Sequence, residues 1–527
     1  MKQYKIFLVS LLFIPALWSC FDDEGNYDYN AINELKIKEY GDSTYYMMYL
    51  ADTLRIKPVV EGSMDPEFSD KDYEYQWLVR DNNDLSGNSW GTVISTSRNL
   101  EYPIDLKPGS YSLYFKVRDK KTGLLFKSHS TVQVSTTLTR GFIVLGDDEE
   151  GYIRMDMISM LPEQDTVVLR NILKDSGLPP IKGAVNVCHT GSTYNPDYIR
   201  FWVMGKEESY YVNGADMTGL PGNTLRQMFY SSLVDVDTVH PIEVFPRSSA
   251  GRQNGSVRGM MFNDGSIVSS SIIAGEFYGN PVNRLAKNPE HLLPMAPYVF
   301  YPMGTSLQGY MAYDTENEQF LFAMYSSANM SLRNDYTTDP FPWKQGDKKR
   351  TLVYGENTRN TYGGSSYGAS YALMKDKDNN YFIYGFNVYV PNQWFSPTKL
   401  GAWQIKKDIA ENFDQATLYM FSSSRTLMYY AAAGNIYCYD YNVGNERCES
   451  VLETGTDEVT YLQADLQTAS RPYNYIFVGT YNSTTGGTLS KYEESTNQNE
   501  IKWTPVERSS WSHLCKIKSV EWRNSQD

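Results

Sequence analysis

Apolar and polar positions alternate with a period of two along the first part of the chain. Leu35, Ile37 and Tyr40 open the series, Leu54, Ile56 and Pro58-Val59 continue it, and Tyr73-Glu74-Tyr75-Gln76-Trp77-Leu78-Val79 alternates around a central Trp. After a polar loop from Asp81 to Gly91, Pro108-Gly109-Ser110-Tyr111-Ser112-Leu113-Tyr114-Phe115-Lys116-Val117 reads as a turn and then a strand. Asp119 to Gly123 is a second turn, and His129-Ser130-Thr131-Val132-Gln133-Val134 closes the series. About seven short strands over roughly 100 residues predict an immunoglobulin-like sandwich spanning residues 34–136.

From Leu138 the pattern changes to near-continuous apolar runs, each followed by a polar turn and a further strand. The runs are Gly141 to Gly146, Phe201 to Gly205, Gly259 to Phe262, Gly309 to Tyr313, Tyr381 to Gly385, Leu427 to Ala431 and Tyr475 to Gly479. Asn263-Asp264-Gly265 and Gly434-Asn435 supply the positive φ that tight hairpins need. Residues 138 to 527 number 390, so seven units would average about 56 residues, a little longer than common propeller blades. The prediction for residues 137–527 is a β-propeller, with seven blades fitting best and six, eight or a double sandwich left open. Radial repetition suits such a chain because each sheet is buried between its neighbours. His513 to Trp522 is a candidate closing strand between the last unit and the first.

Composition and charge narrow the function. Charged residues make up 21% and the aromatics are Tyr 43, Phe 22 and Trp 10, which excludes a disordered acidic chain, a fibre and a coiled coil. A net charge of −14 repels polyanions from the molecule as a whole, so no nucleic-acid partner is expected. At the start, Lys2 and Lys5 precede an apolar stretch from Ile6 to Trp18, then Ser19 and Cys20. That order reads as a secretory leader over residues 1–19, too short for a stable membrane span.

Leu17-Trp18-Ser19-Cys20 resembles the lipobox of bacterial lipoproteins, with Trp18 a bulky departure from it. The resemblance implies cleavage before Cys20 and acylation of its thiol, and two or three acyl chains anchor a protein stably. Phe21-Asp22-Asp23-Glu24-Gly25 resembles the acidic signal that sends Bacteroidota lipoproteins to the outer face of the outer membrane, within a linker covering residues 20–33. Gly25-Asn26-Tyr27-Asp28-Tyr29, Ile32-Asn33-Glu34, Tyr75-Gln76-Trp77, Gly109-Ser110-Tyr111 and Val117-Arg118-Asp119 together resemble the PKD-like lipoproteins of that phylum. The resemblance implies a lipid anchor, an Ig-like domain and a larger β-rich region beside a SusC/SusD-like TonB-dependent importer.

The sequence offers little chemistry. Gly87-Asn88-Ser89-Trp90-Gly91 and Gly364-Ser365-Ser366-Tyr367-Gly368 match G-x-S-x-G, but neither has the strand before and helix after that expose a nucleophile. Asp376-Lys377-Asp378-Asn379-Asn380 begins like a calcium loop, yet Tyr381 replaces the required Gly, so a hairpin turn explains it better. Cys188-His189 is the lone Cys/His adjacency and reads as a solvated loop; no metal ligand set and no cofactor site are assigned. Cys438 and Cys448 flank a turn, where a disulfide and two buried thiols are equally compatible. Loop aromatics paired with amides, above all Trp343 and Trp394, are candidate exposed rings for stacking on a glycan or gripping a peptide. The expectation is a non-catalytic, surface-exposed lipoprotein that captures glycan or peptide for the importer. A propeller-type polysaccharide lyase or hydrolase, and a purely structural subunit, are the alternatives.

Overall fold

The computed structural model describes residues 32–524, except 50–51, 65–67, 83–90, 163, 193–194, 248–256, 273–274, 304–306, 362–363, 365–366 and 389–395. Cys20, Asp22, Asp23, Glu24, Trp394 and the serines of both G-x-S-x-G segments lie outside the described residues. The architecture is all-β. The chain divides into two compact units, Met1–Val134 and Ser135–Asp527. No helix among the described residues is long and apolar enough to cross a membrane.

The N-terminal unit is built on a five-stranded antiparallel sheet. Its order is Thr44–Met48, Leu125–Ser135, Gly109–Asp119, Tyr73–Asp81 and Thr92–Ser95. Two short ladders complete it, Leu35–Lys38 with Val59–Gly62 and Thr53–Ile56 with Leu100–Pro103. The alternation in Gly109–Asp119 places Tyr111, Leu113, Phe115 and Val117 inward, around Trp77 at 0% exposure. Trp77 satisfies its indole N–H on the carbonyls of Ser97 and Arg98, and the Tyr40 hydroxyl donates to the Leu113 carbonyl at 2.5 Å. Nine strands are described, where the alternation predicts about seven. The stretch from Leu54 to Val59 is two strands instead of one: Pro58, which has no N–H to give a ladder, sits between segments that pair with different partners.

Among the described residues the second unit forms seven antiparallel sheets of three or four strands in chain order. Each of the seven apolar runs falls in a different sheet. Six form the second strand of their sheet, and Tyr381 to Gly385 lies in the third, because Ser370–Lys375 precedes it. These strands lack alternation because both faces are covered: Val257–Phe262, Gly309–Asp314 and Leu427–Ala432 are buried at every position. Last strands such as Arg447–Glu453 and Trp503–Leu514 are mostly half-buried or exposed. Gly265 and Gly434 have φ of +84° and +75° at the hairpin tips, where an added side chain would be strained. Asp376 Oδ1 accepts the backbone N–H groups of Asp378 and Asn380, so the calcium-like segment is a side-chain-capped hairpin turn.

The first strands of successive sheets are Ala184–Ser192, Pro241–Phe245, Met295–Phe300, Thr351–Asn357, Leu418–Phe421 and Glu458–Ala464 for sheets two to seven. The first sheet is completed from the far end of the chain: Lys516–Asn524 pairs antiparallel with Arg140–Asp147, so that Phe142 lies opposite Trp522. The candidate closing segment is therefore divided, with His513 and Leu514 ending the seventh sheet and the residues from Lys516 onward joining the first.

Candidate ligand-binding site

The first strand of every one of the seven sheets contributes to a single cavity of about 410 Å³, a volume typical of small-ligand sites. One side of it is aromatic. Met295–Phe300, Thr351–Asn357, Leu418–Phe421 and Glu458–Ala464 each present one tyrosine: Tyr298, Tyr354, Tyr419 and Tyr461. Tyr298 meets Tyr354 edge to face with centroids 5.6 Å apart, and Tyr354 meets Tyr419 at 5.8 Å. Such offset contacts lock the rings in place. The hydroxyls of Tyr298, Tyr419 and Tyr461 donate to the Val353 carbonyl at 3.3 Å, the Ala416 carbonyl at 3.4 Å and Gln463 Oε1 at 2.6 Å, so a guest meets chiefly ring faces and edges.

The other side is polar and comes from the remaining three sheets through Asn186, Glu243, Arg247, Lys518 and Ser519. Asn186 is its hub. Its Nδ2 donates to Glu243 Oε2 at 2.6 Å, while its Oδ1 accepts from Arg247 Nη2 at 2.8 Å and from Ser519 Oγ at 2.6 Å. Arg247 Nη1 donates to the Val520 carbonyl at 3.2 Å, and Nε lies 3.4 Å from Glu521 Oε2. Glu521, at 0% exposure, also accepts the His189 backbone N–H at 3.3 Å.

Burial sets the electrostatics of this wall. It pushes the Glu521 carboxyl up to about 7 although Arg247 pulls it down, and it raises Glu243 against the same arginine. Burial also disfavours the Arg247 charge, but Glu521 and Glu243 outweigh it and hold the guanidinium protonated. Arg247 further lines a void of about 20 Å³ with Phe142, Tyr461 and Gln467, room for about one water. The arginine thus stands between two spaces with its donors already engaged. What the cavity can do is hold a guest between a rigid aromatic side and a preorganised polar one.

The sites read from sequence fall elsewhere. Trp343 is 2% exposed, so it is a core residue and not an exposed stacking platform. Its ring packs against Phe341 at 5.3 Å and Phe386 at 5.5 Å, and the Lys399 ammonium, paired at 2.6 Å with both Asp335 and Asp339, sits 4.8 Å over its face. Cys188 and His189 lie buried in strand Ala184–Ser192, not on a solvated loop. Cys438 is opposite Glu449, and Cys448 is opposite Tyr439. The two cysteines therefore point to opposite faces of their sheet and are unbonded.

With this geometry in place, comparison with known proteins adds one assignment. Residues 20–177 match the PKD-like family. The PKD-like match covers the described sandwich and runs on through the first three strands of the second unit. No curated protein matches the sequence. Among solved structures, a quinonprotein alcohol dehydrogenase-like protein from Bacteroides thetaiotaomicron is similar at 13% identity and a TM-score of 0.37, over 92% of this chain and 98% of that one. The Cps50 (Swd1) β-propeller domain of Myceliophteria thermophila is similar at 8% identity and a TM-score of 0.37, over 67% and 96%. YCF48 from Cyanidioschyzon merolae gives 11% identity and a TM-score of 0.36, over 62% and 86%. At this level these similarities carry no argument about activity.

Proposed function

We propose that the protein is a surface-exposed outer-membrane lipoprotein, acylated at Cys20 and exported on Asp22-Asp23-Glu24, that captures a glycan or peptide for a SusC/SusD-like importer without altering it. In this reading the second unit is a seven-bladed propeller closed by Lys516–Asn524, and its axial cavity is the capture site. The observation that carries the reading is the cavity to which all seven first strands contribute, with tyrosines on one side and a hydrogen-bonded polar hub on the other. A lyase or hydrolase needs an acid and a base facing one space. Among the described residues lining the cavity Glu243 is the one carboxylate, so the carboxylate pair of a glycosidase is not assembled there.

Calorimetric titration of oligosaccharide and peptide pools, with product analysis on the same samples, tests this proposal. Binding without new products is expected, and Tyr419→Ala should weaken it about five- to tenfold, the worth of one aromatic contact. Release of cleaved products, or affinity unchanged by the substitution, would remove the capture role from this cavity. The anchor is tested separately: Cys20→Ser should abolish palmitate incorporation in cells, and persistent labelling would refute acylation at that thiol.

A further inference from the structure

We propose that the outer face of the five-stranded sheet in the N-terminal unit binds an anionic polysaccharide, one bearing carboxylate or sulfate groups. This second site is independent of the axial cavity. Residues alternating with the buried Leu113, Phe115 and Val117 point away from the core and make a row with their cross-strand partners. In that row Glu74 is opposite Arg118, Tyr114 is opposite His129, and Lys116 lies directly opposite Lys127.

Like charges directly opposite one another destabilise an antiparallel pair. The unit's other ladders avoid this, matching Lys38 to Glu61 at 2.7 Å and Arg55 to Glu101 at 3.0 Å. Among the described residues, Lys116, Arg118 and Lys127 have no carboxylate within 4.0 Å. Lys116 and Lys127 face each other without a carboxylate opposite either, and with Arg118 against the single Glu74 the row carries a net positive charge in a chain of net charge −14, a local field opposite in sign to the whole. At physiological salt that field acts over about 8 Å, so the patch and not the net charge governs what docks there.

The face is also concave. A cleft of about 830 Å³ is lined by Asp70, Glu74, Gln76, Lys116, Arg118 and Leu125, and Lys127 stands beside it on the neighbouring strand, opposite Lys116. Asp70 is already engaged, by Arg98 Nη1 at 3.0 Å and the Tyr75 hydroxyl at 2.6 Å. On the same row Tyr114 and His129 stack with centroids 5.9 Å apart, a flat platform beside the cations. A planar lipid surface fits a flat or convex face. A groove with cations on its wall and rings beside it fits a chain of acidic sugars.

The full chain would be tested by affinity electrophoresis in gels containing polygalacturonate, dextran sulfate or neutral dextran, and by co-sedimentation with phosphatidylcholine vesicles containing phosphatidylglycerol. Retardation by both polyanions and not by dextran is expected, fading between about 50 mM and about 300 mM salt as screening grows. The double variant Lys116→Gln/Lys127→Gln should bind about tenfold more weakly, close to 1.4 kcal/mol, while Lys38→Gln behaves as the parent. A thermal melt of the double variant no lower than the parent's shows that folding is intact. No retardation of the parent at low salt, equal affinity of the double variant, or binding to vesicles alone would overturn the assignment.

Discussion

Glu356→Gln should flatten the pH dependence of stability of the second unit. Glu356 lies in the first strand of the fifth sheet, buried, where its Oε2 accepts the Phe421 N–H at 2.6 Å. Burial holds its carboxyl up to about 8 against an ordinary 4.5, although that hydrogen bond pulls the other way. The folded state therefore binds more protons than the unfolded chain between these values. The stability it contributes is complete below pH 4.5 and is lost as pH rises through 8. Integrating the proton difference gives a loss of about 1 kcal/mol by pH 5 and about 4 kcal/mol by pH 8. Gln keeps an oxygen for the Phe421 N–H and cannot ionise, so about 3 kcal/mol of that fall should vanish from the variant. A unit of this size, residues 135–527, has an unfolding entropy of roughly 0.8 kcal/mol/K, so the variant's Tm should gain about 4 °C on the parent's between pH 5 and pH 8. Glu521, likewise raised, is present in both proteins and cancels. Melts followed by circular dichroism at intervals across this range test the argument, and parallel curves for variant and parent would refute it.

Trp343→Ala should act on folding and not on ligand, lowering stability by about 3–5 kcal/mol and Tm by about 4–6 °C; a melt within a degree of the parent's would contradict its place in the core. The cysteines Cys188, Cys438, Cys448 and Cys515 should all alkylate when the protein is unfolded without reductant, since none is bonded. A mass showing Cys438 and Cys448 protected would overturn the one-residue offset that separates them.

Much of the fold was legible because burial writes itself into the sequence. A strand covered on both faces reads as an unbroken apolar run, as in Val257–Phe262 and Leu427–Ala432, and a strand covered on one face alternates, as in Gly109–Asp119. The errors arise where one residue of register or one partner decides. Cys438 and Cys448 look like facing positions of a hairpin until the pairing with Glu449 is counted. Phe341-Pro342-Trp343 has the composition of a surface loop, but Lys399, from a strand more than fifty residues later, covers the indole face.

The cavity lined by the first strands was hidden for a different reason. Its walls come from the first strands, which face a polar interior on one side and so carry mixed sequences such as Pro241–Phe245 (PIEVF) and Glu458–Ala464 (EVTYLQA) that no hydrophobic pattern singles out. A weak signal is nonetheless present. Pro297-Tyr298, Val353-Tyr354, Leu418-Tyr419 and Thr460-Tyr461 each place a tyrosine in the strand that opens a sheet. Recurrence at the same structural step in four successive sheets is what a shared aromatic wall requires, because each of these sheets lines the cavity with its first strand. The polar side has no such repeat: Asn186, Arg247 and Ser519 are separated by more than sixty residues from one another in the sequence, and Ser519 reaches Asn186 from the C-terminal strand that pairs with Arg140–Asp147. A binding site made of one repeating half and one unique half is visible in the sequence only through the half that repeats.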